Sequence, residues 1–374
     1  MMDKVFKILV VNPGSTSTKY AYYENDREIF RESISHSVEE LSQFETIQDQ
    51  LGYRKKMIES SCREHGIDLD QIDAFCGRGG GMVPSPSGTY RINEKQVHDC
   101  EVAACGVHHP AQLAAQICFQ FRQEHGGDAF TTSGPDTDEY QDLARVTGLK
   151  DVFRESRSHA LNQKEVALRY CKARSMVYEE SNLVIAHLGG GISITAHRKG
   201  KMVDSTDILT GEGPMTPTRA GTMQAVKIVN MAFSGKYTKD ELIERLTKRG
   251  GFIDHLGTDD AKEVEKMMND GDEYAKLIFD ALAYQISKFI GQNAVVLEGK
   301  VDGIILTGGI AHREYITSSI ERQVGWIAPV TVMPGEFELE ALAAGGLRVL
   351  RGEEEPLDYT GIPTFTGFDY LKRK

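Results

Sequence analysis

The chain has 374 residues, 40% of them hydrophobic and 26% charged, which at about 150 residues per domain predicts two or three domains with sizeable cores. Its 37 Gly and 11 Pro are too few for a collagen-like or low-complexity architecture, and a net charge of −12 disfavours nucleic-acid backbones and anionic membranes as partners. No run approaches 18 apolar residues, Met1–Lys7 lacks a signal peptide's apolar region, and six sparse cysteines read as reduced thiols, so a cytoplasmic α/β protein is expected.

Lys7–Val11 is a β-rich apolar run, and Asn12-Pro13-Gly14-Ser15 turns the chain into a return strand over Ser17–Tyr23. Helical periodicity covers 39–65, and Ile72–Cys76 reads as the next core strand. Helices follow near 106–124 and 139–147, and from His159 to about Ala173. Then the opening pattern recurs. Leu183–His187 is an apolar strand, Gly189-Gly190-Gly191 a turn, and Ser193–Ala196 a return strand. Asn12 falls on His187 at an offset of 175 residues, too long for a solenoid period and suited to duplication of a whole domain. Helices come next near 220–233, 239–248, 258–269 and 272–298, then a core strand over 302–307 and a last helix from about Leu339 to Val349. Each half opens with a hairpin, so mixed sheets are expected rather than all-parallel ones.

Four glycine- or hydroxyl-rich turns each follow an apolar strand: Asn12–Thr18, Gly77–Gly81, Gly189–Gly191 and Thr307–Gly309. Backbone N–H groups at such turns can cradle an anion, and glycine lets phosphate approach closely. One such turn is commonplace, but four at equivalent strand ends point to a nucleotide site. No Gly-x4-Gly-Lys-Ser/Thr and no Gly-x-Gly-x-x-Gly fingerprint occurs. His98-x-Cys100-x4-Cys105-x2-His108-His109 has zinc-ligand chemistry at close range, yet no second cysteine pair follows it.

The segments Val10–Lys19, Gly77-Arg78-Gly79-Gly80, His159–Lys164, His187–Gly191, Leu306–Ala311 and Pro334-Gly335-Glu336 run in order through residues 8 to about 350. Together they resemble the butyrate kinases of the acetate and butyrate kinase family, short-chain fatty-acid kinases of the actin-like ATPase (ribonuclease H-like) superfold. The resemblance implies an α/β fold of duplicated two-domain architecture, with mixed sheets and a central cleft for ATP and a carboxylate. The expected division is 1–150 for the first domain, with about 339–374 packing back on it, and 151–338 for a nucleotide-binding domain. The implied reaction transfers the ATP γ-phosphoryl group, with Mg2+, to a short-chain fatty acid such as butyrate, giving acyl phosphate and ADP. A homo-oligomer is expected.

The resemblance also distributes roles. Arg219 becomes the cation that stabilises transition-state charge, His159 a hydrogen-bond donor to the transferring group, and Arg78 the holder of the acid's carboxylate. Asn12, Ser15, Ser17 and Lys19 in the first turn, with His187, Gly189, Gly190, Gly191, Asp259, Gly308 and Gly309, would surround the nucleotide. His108 and Ser158 would line the acyl pocket. Asp136, ahead of Asp138, and Glu338, chosen over Glu336 and Glu340, would hold Mg2+. Each also has a plainer reading. Arg219 in a turn-rich stretch can be a solvated charge, His159 and His187 can be structural, Asp259 can be an N-cap, and acidic residues at a helix start offset its dipole.

Asn12 stands where sugar kinases of this superfold carry an aspartate base, which disfavours a hydroxyl acceptor. A fatty acid, with a pKa near ~4.3 for such a carboxyl, is already ionised and needs no base. Two departures from the family concern the acyl half. Val107–Ala111 replaces a Glu-His-Ala-Ser-Asn-like run, and Ser158 stands where an aromatic is usual. The competing readings are a kinase for acetate or propionate, and an actin-like ATP-binding regulatory or structural module without kinase activity.

Overall fold

The structure, a computed structural model, describes residues 4–371; Met1–Asp3, where the N-terminal leader was sought, lie outside them. The chain divides into two compact units, one formed by the chain up to Asp138 together with the stretch from Phe337 on, the other by Glu139–Glu336.

In the first unit the strands are β1 (Lys7–Pro13), β2 (Ser17–Glu24), β3 (Arg27–Ser35), β4 (Ala74–Gly77), β5 (Thr89–Arg91) and β6 (Asp128–Thr132). With the short strand Leu357–Asp358 they form a seven-stranded sheet, ordered Leu357–Asp358, β5, β6, β4, β1, β2, β3. β1 is antiparallel to β2 but parallel to β4, and β4 is parallel to β6, so the sheet is mixed. Helix Gln112–His125 packs on β1, β4 and β6 from one face, and helix Glu338–Leu350 covers the same strands from the other. A central strand buried on both faces needs a continuous apolar run, which Ile8–Val11 supplies with every side chain buried.

The second unit repeats the scheme with β7 (Asn182–Leu188), β8 (Ile192–Arg198), β9 (Lys201–Ser205), β10 (Gly303–Gly308) and β11 (Val330–Pro334), in the order β11, β10, β7, β8, β9. β7 pairs antiparallel with β8 and parallel with β10. Helix Glu273–Val296 packs on β7 and β8, and helix Ala160–Ala173 on β7 and β10. Mixed sheets and the recurring hairpin are thus present in both halves.

Several predicted helices are shorter than their periodicity suggested. The 39–65 segment splits into Val38–Leu41, closed by a Ser37/Glu40 capping box, and Leu51–Glu64. The 106–124 helix starts only at Gln112, because a residue before proline is disfavoured in the α region and Pro110 follows His109. The 139–147 helix is one turn, Asp142–Arg145, and the 220–233 helix is Ala225–Ala232. The 258–269 helix begins at Ala261 with Asp260, not Asp259, as its N-cap. Helices Glu94–Glu101 and Glu314–Val324, and strands β3, β5, β6, β9 and β11, were not anticipated. Edge strands such as β3 and β11 carry little buried surface, which blurs the hydrophobic signal. No helix among the described residues is long and apolar enough to cross a membrane.

Candidate active site

In the second unit, β7 ends in the Gly189–Gly191 turn and β10 in Gly308-Gly309. Gly308 has φ +88°, and a Cβ there would lie 2.5 Å from the Leu188 carbonyl oxygen, so the two turns approach closely only with glycine at this position. Between them lies a cavity of about 380 Å3, lined by Gly189, Gly190, Asp259, Gly309, Arg313 and Glu336 among others. Four residues singled out in the sequence thus share one cavity, whose volume is in the range of small-molecule sites. Asp259, relieved of capping, is one of its walls.

Loop Gly213–Gly221 fixes the shape of the glycine turn. The Gly190 carbonyl accepts from Thr216 Oγ1 at 2.7 Å, Thr218 Oγ1 at 3.0 Å and Arg219 Nη1 at 3.0 Å. Because the peptide is planar and trans, a carbonyl held toward the loop sends the Gly191 N–H the opposite way. The rest of the Arg219 guanidinium is not consumed by this bond. Its Nε is buried without a hydrogen-bond partner, and among the described residues no carboxylate lies within ion-pair distance. Burial pushes its pKa below the usual arginine value, with Asp207 opposing, yet arginine remains a cation.

His159 and His187 stack with ring centroids 3.8 Å apart and planes 12° from parallel. Their hydrogen bonds fix their tautomers. Thr307 donates to the Gly335 carbonyl, so its Oγ1 accepts from Asn162 Nδ2, which also donates to His187 Nδ1 at 2.9 Å. On the other ring, Gln163 Nε2 donates to the Ser193 carbonyl and to Ser193 Oγ, and the His159 backbone N–H donates to that same oxygen. With both lone pairs taken, Ser193 must donate its proton to His159 Nδ1, 2.9 Å away. Both rings therefore accept at Nδ1 and carry hydrogen on Nε2. The Gln163 orientation also makes its Oε1 an acceptor for His197 Nε2, whose Nδ1 lies 2.7 Å from the Tyr178 hydroxyl. Burial drives His197 well below the usual histidine pKa and Tyr178 well above the usual phenol value, so both stay neutral. Ser158, beside His159, is 1% exposed, and its hydroxyl has no hydrogen-bond partner. Glu336 places Oε1 4.0 Å from His187 Nε2.

In the first unit, Asn12 is the penultimate residue of β1 and Arg78 follows β4. They meet at Glu338, the first residue of the last long helix. Asn12 Nδ2 donates to Glu338 Oε2 at 2.8 Å and Arg78 Nη1 lies 3.3 Å from that oxygen, while Arg78 Nε is buried without a partner. The Arg78 turn packs on the acidic turn, since a Cβ on Gly134 would meet Gly79 Cα at 3.1 Å. Asp136 is buried there, with Oδ2 3.3 Å from the Met82 N–H, and Asp138 accepts from Thr364 Oγ1. Glu340 instead pairs with Arg31. Ser15 and Lys19 are exposed and Ser17 opens β2.

His108 is exposed. The neighbouring His109, given no acyl role in the sequence, is exposed as well, but it is the ring that feels Arg78, Glu338 and Arg54. Desolvation first, then Arg78, push its pKa down to about 4, which keeps the imidazole neutral. A turn has no periodicity to tell which of two adjacent histidines lies near Arg78. Cys100, part of the zinc-like spacing, is buried with its thiol pKa raised, and among the described residues no group of three His, Cys, Asp or Glu is placed to hold a metal. Magnesium asks for less, namely one or two carboxylates with phosphate and water completing the shell. Glu338 and Asp136 are hard oxygen donors of that kind.

Comparison with known proteins identifies the family. The sequence model of the Acetokinase family matches residues 130–323. Butyrate kinase 2 of Clostridium acetobutylicum is 43% identical over 354 residues, covering 95% of this chain and 99% of that protein. Acetate kinase of Porphyromonas gingivalis superposes with a TM-score of 0.75 at 19% identity, over 92% of this chain and 100% of that one. Propionate kinase of Francisella tularensis gives 0.73 at 18% identity, over 91% and 98%. Both structural matches show the shared actin-like ATPase fold.

Proposed function

From the premise that this chain belongs to the acetate and butyrate kinase family, we propose that it is a Mg2+-ATP-dependent kinase that reversibly phosphorylates a short-chain fatty acid, butyrate first. The observation that carries the reading is the tautomeric state of the histidine pair. His159 and His187 each use Nδ1 as an acceptor from the protein and so present N–H, not a lone pair, at Nε2. A hydroxyl acceptor would require a base to remove its proton, whereas a carboxylate arrives ionised and requires only donors and cations.

In this reading the Gly189–Gly191 and Gly308-Gly309 turns and Asp259 hold the nucleotide. The Nε2–H groups of His159 and His187 donate to phosphoryl oxygens, and Arg219 supplies the cation against the charge that spreads over the equatorial oxygens. Arg78 offers its unpartnered Nε to the acid's carboxylate, and Asn12 donates without adding negative charge. Glu338 and Asp136 would hold the Mg2+ that accompanies the nucleotide and offsets phosphate charge. The experiment is a hydroxylamine trap with Mg-ATP and a panel of linear and branched C2 to C6 acids. Hydroxamate formation that peaks at C4 supports the reading, and ATP consumption only with hydroxyl acceptors overturns it.

Ser158 sets a second expectation. It is buried and smaller than the aromatic usual in the family, so Ser158→Phe should shift preference toward shorter acids by ~1–3 kcal/mol per methylene. The ratio of kcat/KM for butyrate and acetate measures it. An unchanged ratio in a folded variant removes Ser158 from the acyl pocket.

A further inference from the structure

Arg54 lies in helix Leu51–Glu64 and is 0% exposed. A buried guanidinium ordinarily pairs with a carboxylate, because an unpaired ion inside protein loses its hydration without compensation. Among the described residues Arg54 has no carboxylate partner. Its Nη1 donates to the Gly14 carbonyl at 2.9 Å, the Ser17 carbonyl at 3.1 Å and Thr18 Oγ1 at 3.0 Å, and its Nη2 reaches the Ser15 carbonyl at 3.4 Å. Gln50 Oε1 takes the remaining contacts, from Nε and Nη2. The whole cation is thus spent on the inner side of the first turn.

Drawing carbonyls inward has a consequence on the outer side. In a planar trans peptide the N–H opposes the C=O, so the Ser15 and Thr16 N–H groups point away from Arg54. Ser15 and Thr16 are exposed, and among the described residues neither amide donates to another backbone group. The turn is therefore a pair of outward amides backed by a full positive charge, the arrangement that favours an anion.

We propose that Arg54 is a positioning residue of this enzyme: through the Gly14–Thr18 turn it supplies the positive potential and the carbonyl-inward shape that hold the phosphoryl group of the acyl phosphate. The inference rests on the kinase reading, and it narrows the nucleotide contact expected of the first turn to the transferring phosphoryl group. Nothing in the sequence marks Arg54, which sits in the first turn of its helix next to Lys55 and Lys56.

The test compares wild type with Arg54→Lys, Arg54→Gln and the exposed control Lys56→Met. For each, calorimetry gives the affinity for inorganic phosphate, steady-state kinetics in the ADP-phosphorylating direction give KM for butyryl phosphate and for ADP, and a melting curve reports folding. Arg54→Gln can still bond one carbonyl but lacks the charge, and it should lose at least about tenfold in phosphate affinity and in KM for butyryl phosphate, with KM for ADP within about twofold. Arg54→Lys should retain most of the affinity, within about threefold, because the charge remains. Lys56→Met should match wild type. A folded Arg54→Gln with wild-type phosphate affinity overturns the proposal, as does Arg54→Lys falling as far as Arg54→Gln. A parallel worsening of ADP and butyryl phosphate KM with melting temperature, which a merely structural role predicts, also overturns it. If wild type consumes no butyryl phosphate, the kinase reading fails, while the phosphate affinities still decide the role of Arg54.

Discussion

Arg219→Ala is expected to lose ~10³-fold or more in kcat while the KM for the carboxylate moves little. Arginine contacts in phosphoryl transfer act on charge that is largest in the transition state, so their removal is felt in kcat rather than in ground-state binding. The geometry sharpens this expectation. Among the described residues only Nη1 is used, on the Gly190 carbonyl, while Nε is buried and unpartnered, so the other face of the fork meets no acceptor from those residues. Lysine should rescue poorly, because a point charge cannot keep the Gly190 bond and also present a planar pair of donors. Gly191→Ala offers an independent check. Its Cβ would lie 2.5 Å from Arg219 Nη1, so the guanidinium must move although its charge is intact. Its kcat should fall between wild type and Arg219→Ala. Added guanidine should restore part of the Arg219→Ala rate. A folded Arg219→Ala with near-normal kcat and intact ATP affinity would remove Arg219 from the clamp and leave His159 as the first candidate.

The second large effect is expected at Asn12. Asn12 is 5% exposed and donates to Glu338 Oε2, the oxygen that Arg78 also contacts. Asn12→Asp replaces that donor with a carboxylate facing a carboxylate, and it adds negative charge where phosphate must come. Loss of one preorganised donor costs ~10²–10³-fold in kcat at comparable sites, and like charges should add to this. Steady-state kinetics should show kcat falling more than the KM for the carboxylate rises. Unaltered kcat would mean that the first turn does not touch the phosphoryl group.

The glycine turns, the duplicated hairpin and the residues Asn12, Arg78 and His187 were legible in the sequence because each is tied to a strand end, and strand ends follow from apolar runs, whereas His159 at a helix start and Arg219 in a loop were marked only by the family resemblance. What orients those residues was not legible. Ser193, Asn162 and Thr307 decide which nitrogen of each histidine carries hydrogen, but as isolated letters they are ordinary polar residues of a strand or helix. Their meaning depends on pairings 25 to 145 residues apart in the chain. The three carboxylates Glu336, Glu338 and Glu340 could not be told apart by spacing. Their partners separate them, His187 for the first, Asn12 and Arg78 for the second, Arg31 for the third. Likewise His109 rather than His108 faces Arg78, which only the path of the Gly106–Pro110 turn decides.

The central claim is that the acceptor is a carboxylate that attacks phosphorus without help from a base. Phosphorus NMR of the protein with Mg-ATP and butyrate tests it most directly. The account predicts that an acyl phosphate resonance grows in step with ADP, with free phosphate arising only later from its hydrolysis. Inorganic phosphate appearing in step with ADP, with no acyl phosphate at any time, would contradict it.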